Sequence, residues 1–386
     1  MKKIGIIPLR KDSKGIPGKN KKKMLGRPLF SWVLTEAIFS DLDVVYVFTN
    51  DEEIINYVNK EYHWTSKVVA LLRDEENADD TASTESVLLE FAEKINYDFS
   101  VLCLLQATSA FTLANDINQA INKVILEEFD SALTVVKTHR FTWNSAGSPQ
   151  NYDIFNRARR QDFEGLLIEN GAVYASTKEA FLTSKNRISG KIGLVEMHEE
   201  SLTEIDSLTD WIVVENLLAE RQKRQKSNQR IEYLVLDVDG VFTDGGIYYN
   251  AEGEMAKRFD MRDGMGLEIL RQNGVQVMVL TSENSELVGQ RMKKLQIQDT
   301  FLGVKDKYSF LKHILAIKNS SFGSVAYVGD DVNDLANICS SGWSFTPANA
   351  TDIVKHHADI VLRNDSGTGA IREVCETILK YNKRYD

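Results

Sequence analysis

The chain has 386 residues, too many for one typical hydrophobic core and suited to two domains. Its 43% hydrophobic and 26% charged residues are ordinary for a globular protein, and a net charge of −10 argues against nucleic acid or a membrane surface as a general partner. No run approaches the roughly 20 apolar residues of a membrane span, and the short apolar run before Pro8 is no signal peptide, so a cytoplasmic location is expected.

From the N-terminus, short β-rich runs at residues 4–7, 44–48, 101–105 and 131–136 alternate with helical patterns at 29–38, 86–95 and 116–127. Such alternation predicts a mainly parallel sheet covered by helices. A last helix is expected at 211–222. Residues 221–230 (RQKRQKSNQR) then lose all hydrophobicity, which places the domain boundary there and divides the chain into 1–226 and 231–386. The second half repeats the logic, with strands expected at 233–236, 275–280, 324–328 and near 360–362. Residues 247–259 alternate around Ala251-Glu252-Gly253 and predict a β-hairpin. Cys103, Cys339 and Cys375 fit neither a disulfide framework nor a metal-ligand pattern, and each reads as a small core residue. His356 and His357 read as helix surface.

Two stretches carry chemistry. Between Arg10 and Arg27 lie eight Lys or Arg and one acid, Asp12, an unusual basic run in an acidic protein. Its loop, Pro8-Leu9-Arg10-Lys11-Asp12-Ser13-Lys14-Gly15-Ile16-Pro17-Gly18-Lys19-Asn20, leaves the first strand with glycines that let backbone N–H groups approach phosphate oxygens. Arg10, Lys14 and Lys19 would then supply charge for a triphosphate at the correct edge of a parallel sheet.

The spacing of this loop resembles the cytidylyltransferases that activate sialic acids and related 3-deoxy-2-keto sugars, and the resemblance covers the N-terminal half. It implies a Rossmann-like nucleotidyltransferase fold and a CTP site of Arg10, Ser13, Lys14, Lys19, Asn20, Arg73, Asp80 and Thr84, with Arg10 and Lys19 catalytic. Leu105-Gln106-Ala107-Thr108-Ser109 resembles a segment contacting nucleotide and sugar. Arg159-Arg160-Gln161-Asp162 and Glu169-Asn170-Gly171-Ala172-Val173-Tyr174 resemble animal-type members. These segments imply Gln106, Gln161, Asn170 and Gly171 at the sugar. Glu204 and Asp206 fall where the family has a metal-binding carboxylate pair, implying Mg²⁺.

The second stretch is Asp237-Val238-Asp239-Gly240-Val241-Phe242-Thr243-Asp244, after the apolar run 233–236. An aspartyl-phosphate mechanism needs four elements, and all four follow in order. Asp237 would attack phosphorus, and Asp239 would protonate the leaving alkoxide and then activate water. Thr281 would bond the phosphoryl group, and Lys307 would offset negative charge. Asp330, Asp331 and Asp334 would complete an oxygen-ligand Mg²⁺ site.

Residues 231–386 resemble the haloacid dehalogenase superfamily, and most closely its cap-less sugar-phosphate phosphatases. Arg262-Asp263-Gly264 and Gly367-Thr368-Gly369-Ala370-Ile371-Arg372-Glu373 also match them. Only 44 positions separate Asp237 from Thr281, which leaves no room for a cap domain. The resemblance implies a Rossmannoid fold, metal ligation by Asp237, Asp239, Asp330 and Asp334, and a homotetramer built through this domain. After Thr281 the chain reads Ser282-Glu283 where octulosonate phosphatases read Gly-Arg. Glu283, Arg291 and Lys294 look like the nine-carbon phosphatases, where such residues recognise the sugar.

The reading expected from both halves is an α/β chain of two domains, a bifunctional enzyme. It would take a phosphate from a KDN- or N-acylneuraminate-type 9-phosphate and transfer CMP from CTP to the free sugar. Two alternatives stand beside it: a non-catalytic second domain that assembles the oligomer, or the same two activities on an eight-carbon octulosonate.

Overall fold

Alternate residues along the first strand, Lys3–Leu9, face opposite ways: Ile4 and Ile6 join one apolar cluster, Ile7 and Leu9 another. Val101–Leu105 divides likewise, with Leu102 and Leu104 on one side and Val101, Cys103 and Leu105 on the other. A strand apolar on both faces belongs in the middle of a sheet covered on both sides. The computed structural model describes all residues except 12, 14, 79–81, 225, 227, 228 and 386.

The chain forms two compact units, Met1–Lys22 with Pro28–Val214, and Lys23–Arg27 with Glu215–Asp386. The helix Leu208–Arg224 contributes to both. In the first unit seven strands run in the order Val68–Leu72, Val44–Thr49, Lys3–Leu9, Val101–Leu105, Leu166–Thr177, Ser131–Thr138, Ile192–Met197. Leu166–Thr177 is antiparallel to both neighbours, so the expected mainly parallel sheet is mixed at this point. Helices Leu29–Ile38, Glu52–Glu61 and Ala114–Ile125 cover one face, while Thr84–Lys94 and Lys178–Ser184 cover the other. Asp51 and Ser83 start two of these helices by accepting backbone N–H bonds from Glu53 and Ser86.

The second unit has six parallel strands in the order Asp299–Phe301, Gln276–Leu280, Tyr233–Leu236, Val325–Val328, Trp343–Thr346, Ile360–Val361. Register pairs Leu236 with Val279 on one side and Val328 on the other, so three adjacent strands end nearly level. Asp237 and Thr281 come directly after two of these strands, and Asp330 two residues after the third, the arrangement expected at the carboxyl edge of a parallel sheet. The predicted hairpin forms from Thr243–Asn250 and Gly253–Phe259, and among the described residues no cap domain interrupts the unit. The three cysteines are buried and free. Among the described residues no helix is long and apolar enough to cross a membrane.

Candidate active sites

In the first unit a cavity of about 350 Å³ opens where the strands Lys3–Leu9 and Val101–Leu105 end. Arg10, Ser13, Lys19, Asn20, Arg73, Thr84, Gln106 and Asp206 line it, which brings together most of the expected nucleotide site. Gly15 is needed for its size: a Cβ there would stand 2.2 Å from the Asp206 carbonyl oxygen. Lys19 donates from Nζ to the Ile205 carbonyl at 2.6 Å and lies 3.5 Å from Asp206 Oδ1. Asn20 is buried and donates to the Arg10 carbonyl at 3.1 Å, fixing the turn of the loop. Arg73 is buried and donates to the Asn77 carbonyl. Two expected residues, Lys14 and Asp80, lie outside the described residues.

Several expected sugar and metal residues stand apart from this cavity. Asn170 is buried with its carboxamide engaged: it accepts from Thr134 Oγ1 at 2.7 Å and donates toward Ser201 Oγ at 3.0 Å. That is the behaviour of a bracing residue. Gln161 sits exposed on the turn Arg160–Asp162, and Gly171 is outside the lining, with Glu204 Oε1 3.2 Å from where its Cβ would be. Glu204 is exposed and does not join Asp206 on the cavity wall.

The second unit holds a cavity of about 390 Å³ lined by Asp237, Asp239, Thr281, Glu283, Asp330 and others. At its base Lys307, 1% exposed, starts the helix Lys307–Ile317. Its ammonium lies 2.7 Å from Asp237 Oδ2 and 2.8 Å from Asp334 Oδ1. Asp334 also accepts from the Tyr327 hydroxyl at 2.7 Å and from the Asp330 backbone N–H at 3.2 Å. Two glycines permit the crowding: a Cβ on Gly240 would come 2.0 Å from Asp330 Oδ2, and one on Gly329 would come 2.4 Å from Asp334 Cβ.

These carboxyls pay for their burial. Burial pushes Asp237 up to about 7, with Lys307 pulling down and Asp334 pushing up. Burial, then the charges of Asp334 and Asp237, push Asp330 to about 8. Burial works against the Lys307 ammonium, yet Asp237 and Asp334 outweigh it and hold its pKa above the ordinary value.

The cluster fits a divalent metal. Oxygens of Asp237, Asp330 and Asp334 lie within 4.8 Å of one another, and Asp330 Oδ1 is buried without a hydrogen-bond partner. Three carboxyl groups share the Lys307 ammonium, so a second cation would favour their ionised forms, and all-oxygen donors suit Mg²⁺. Asp239, expected among the ligands, is not in this cluster. Lys257 of the hairpin takes it instead, with Nζ 2.7 Å from Asp239 Oδ1 and 3.0 Å from Glu254 Oε1. Burial alone would lower the Lys257 pKa, but bonds to Asp239 and Glu254 raise it overall.

Lys257 and Tyr327 were not expected from the sequence. The signal for Lys257 was its place on the predicted hairpin; for Tyr327, its period of two within an apolar strand. Arg291 and Lys294 lie outside the cavity, and the Arg291 guanidinium packs 5.5 Å from the Phe259 ring centroid. Arg262 reaches the Thr368 carbonyl at 2.7 Å and Asp263 accepts from Arg372 N–H at 2.8 Å, so two distant motifs brace each other.

The cytidylyltransferase family model matches residues 4–232, more than half of the chain, and the haloacid dehalogenase-like hydrolase model matches residues 303–374. The chain belongs to the cytidylyltransferases. It is 31% identical over 390 residues to N-acylneuraminate cytidylyltransferase A of Danio rerio, covering 98% of this chain and 89% of that one. Over 156 residues it is 36% identical to the 3-deoxy-D-manno-octulosonate 8-phosphate phosphatase of Haemophilus influenzae, covering 40% of this chain and 87% of that one. A solved structure of the Moraxella catarrhalis 3-deoxy-D-manno-octulosonate 8-phosphate phosphatase, in complex with magnesium, phosphate and KDO, is 33% identical over 44% of this chain and 95% of that one, with a TM-score of 0.39. This cytidylyltransferase therefore carries a haloacid dehalogenase-like hydrolase in the same polypeptide, and both parts are α/β, in agreement with the sequence expectation.

Proposed function

We propose that the chain removes phosphate from a nine-carbon sialic-type 9-phosphate, a KDN or N-acylneuraminate 9-phosphate, and then transfers CMP from CTP to the freed sugar with release of pyrophosphate. The domains assigned to these steps are 231–386 for the first and 1–226 for the second. The carrying observation is the buried Asp237–Lys307–Asp334 cluster beside Asp239, in a chain similar along nearly its whole length to N-acylneuraminate cytidylyltransferases.

An Asp237 oxygen attacks phosphorus, the bond from phosphorus to the sugar oxygen breaks, and Asp239 gives its proton to the departing alkoxide. Asp239 then takes a proton from the water that attacks the aspartyl phosphate, which frees inorganic phosphate and restores Asp237. Lys257 fixes where the Asp239 carboxyl sits, and Thr281 bonds the phosphoryl oxygens. Asp237, Asp330 and Asp334 would hold Mg²⁺, which would supply positive charge for those oxygens. In the first unit Arg10 and Lys19 take the triphosphate of CTP, Arg73 and Thr84 take the base, and Gln106 faces the sugar. Glu204 and Asp206 are the pair assigned to a second Mg²⁺, which would draw the exposed Glu204 carboxylate toward Asp206 on the cavity wall.

Glu283 on the cavity wall supports the nine-carbon substrate. The likeness of the second half to octulosonate 8-phosphate phosphatases favours an eight-carbon one. A soluble cytoplasmic homotetramer fits the exposed Tyr248, Tyr249 and Met255 of the hairpin, which offer an apolar surface for a neighbouring copy. A one-pot reaction tests the pairing of activities. Given 9-phosphate, CTP and Mg²⁺, the chain should release phosphate first and pyrophosphate afterwards. Asp237→Asn should give neither product from the 9-phosphate and CTP but should still release pyrophosphate from CTP when the free sugar is supplied. Loss of pyrophosphate release from both would sink the two-site reading.

A further inference from the structure

The second unit takes in five residues from early in the chain, Lys23–Arg27, and they are firmly seated. Arg27 is 2% exposed and grips Asp306 with a two-pronged contact, Nε to Oδ1 at 2.9 Å and Nη2 to Oδ2 at 2.8 Å. Its guanidinium also lies 4.5 Å from the Tyr308 ring centroid. A planar fork matched to a carboxylate and stacked on an aromatic face is a geometry that lysine cannot reproduce. Asp306 is the N-cap of the helix that begins with Lys307, so Arg27 is anchored at the residue next to the buried ammonium. One residue earlier, Gly26 has φ +81°, and a Cβ there would stand 1.9 Å from the Val332 carbonyl oxygen. The segment therefore also presses on the loop that follows Asp330 and Asp331.

This seating brings Lys23 to the wall of the cavity that holds Asp237, Asp239, Thr281, Glu283 and Asp330. Three of the cations at or near that cavity are engaged: Lys307 with Asp237 and Asp334, Lys257 with Asp239 and Glu254, and Lys305, the other lysine on the wall, with partners of its own. Lys23 is the cation best placed to serve the far end of a substrate. Lys23 is exposed, and its flexible stem ends in a point charge. A phosphorylated ulosonic acid carries a carboxylate remote from its phosphate, and on a wall rich in acids that group needs a cation.

We infer that Lys23 is a specificity-determining residue of the phosphatase site, binding the carboxylate of the phosphorylated sugar acid, and that Arg27 positions it. This rests on the phosphatase reading above. The test compares two phosphomonoesters on the full chain with Mg²⁺: a nine-carbon ulosonate 9-phosphate, and p-nitrophenyl phosphate, which has no carboxylate. Lys23→Ala should lower the ratio of kcat/KM for the sugar acid over p-nitrophenyl phosphate by about 10- to 100-fold, the worth of one charge-assisted hydrogen bond, chiefly by raising KM for the sugar acid. Arg27→Met should lower the same ratio. The double variant should lower it no further than Lys23→Ala alone, because Arg27 acts through Lys23. An unchanged ratio in Lys23→Ala, from a chain active on both esters, would overturn the inference and leave the phosphatase reading standing. Release of phosphate from neither ester by the unaltered chain would overturn both.

Discussion

The two cavities hold their charges in different ways. In the hydrolase unit the Lys307 side chain is 0% exposed and clasped by two carboxylates before any ligand arrives. In the cytidylyltransferase unit the Lys19 side chain keeps 14% exposure, bonded to one backbone carbonyl and 3.5 Å from Asp206. The proposed nucleophile, Asp237, must be aimed in advance, and holding carboxyls in a dry site costs desolvation: burial pushes Asp237 up to about 7 and Asp330 to about 8. A triphosphate brings its own charge and needs cations still open to it. On the proposed reading, the hydrolase site is organised around its own nucleophile and the cytidylyltransferase site around an incoming ligand.

Lys307→Met should break this comparison hardest. It leaves Asp237 and Asp334 buried and uncompensated, so unfolding by urea in Mg²⁺-free buffer should show a loss of about 3–5 kcal/mol. Phosphate release should fall by about a thousandfold or more. Lys19→Ala should lower CTP-dependent kcat/KM by about a hundredfold and yet shift stability by no more than about 0.5 kcal/mol. Equal stability losses in the two variants would erase the distinction.

Mg²⁺ should raise the unfolding free energy of the unaltered chain by about 2.7 kcal/mol at a hundredfold excess over its Kd, read as a higher urea midpoint. Asp237→Asn should blunt that gain, since it removes one of the three clustered carboxylates.

The smallest effect concerns Asp263, buried away from the metal carboxyls. Burial pushes it to about 6, against an ordinary value of 3.8. Between those values the folded chain keeps a proton that the unfolded chain has lost, so stability falls as pH rises from about 4 to about 6 and stays lower above. Asp263→Asn cannot ionise and should be more stable than the unaltered chain at pH 7.5, on the order of 2 kcal/mol. The difference should vanish near pH 4. Unfolding midpoints at the two pH values check this; an equal gain at both would refute the ionisation argument.

The sequence is most legible where function sits at strand ends. Asp237, Thr281 and Asp330 follow apolar runs 233–236, 276–280 and 325–328, and a parallel sheet brings such ends level with no further information. The strand Val68–Leu72 has no clear signal in the sequence because it lies at the sheet edge, half-exposed and without clean alternation. Leu166–Thr177 begins with four exposed residues and only then becomes buried, which hides its period. Lys257 meets Asp239 only because the hairpin folds over, and Arg27 meets Asp306 across 279 positions. Pairings of that kind have no local signature. Asn170, placed at the sugar by motif, has its carboxamide bonded to Thr134 and Ser201, contacts that the motif does not signal.

The central claim is that this cytidylyltransferase carries a working phosphatase for the sugar it activates. It is tested most directly by inorganic phosphate release from the purified chain with Mg²⁺, comparing a nine-carbon ulosonate 9-phosphate with octulosonate 8-phosphate. Release from the 9-phosphate at a kcat/KM at least about tenfold higher, one bonded contact's worth, is the expected result. Preference for the eight-carbon ester, or release from neither, would contradict it.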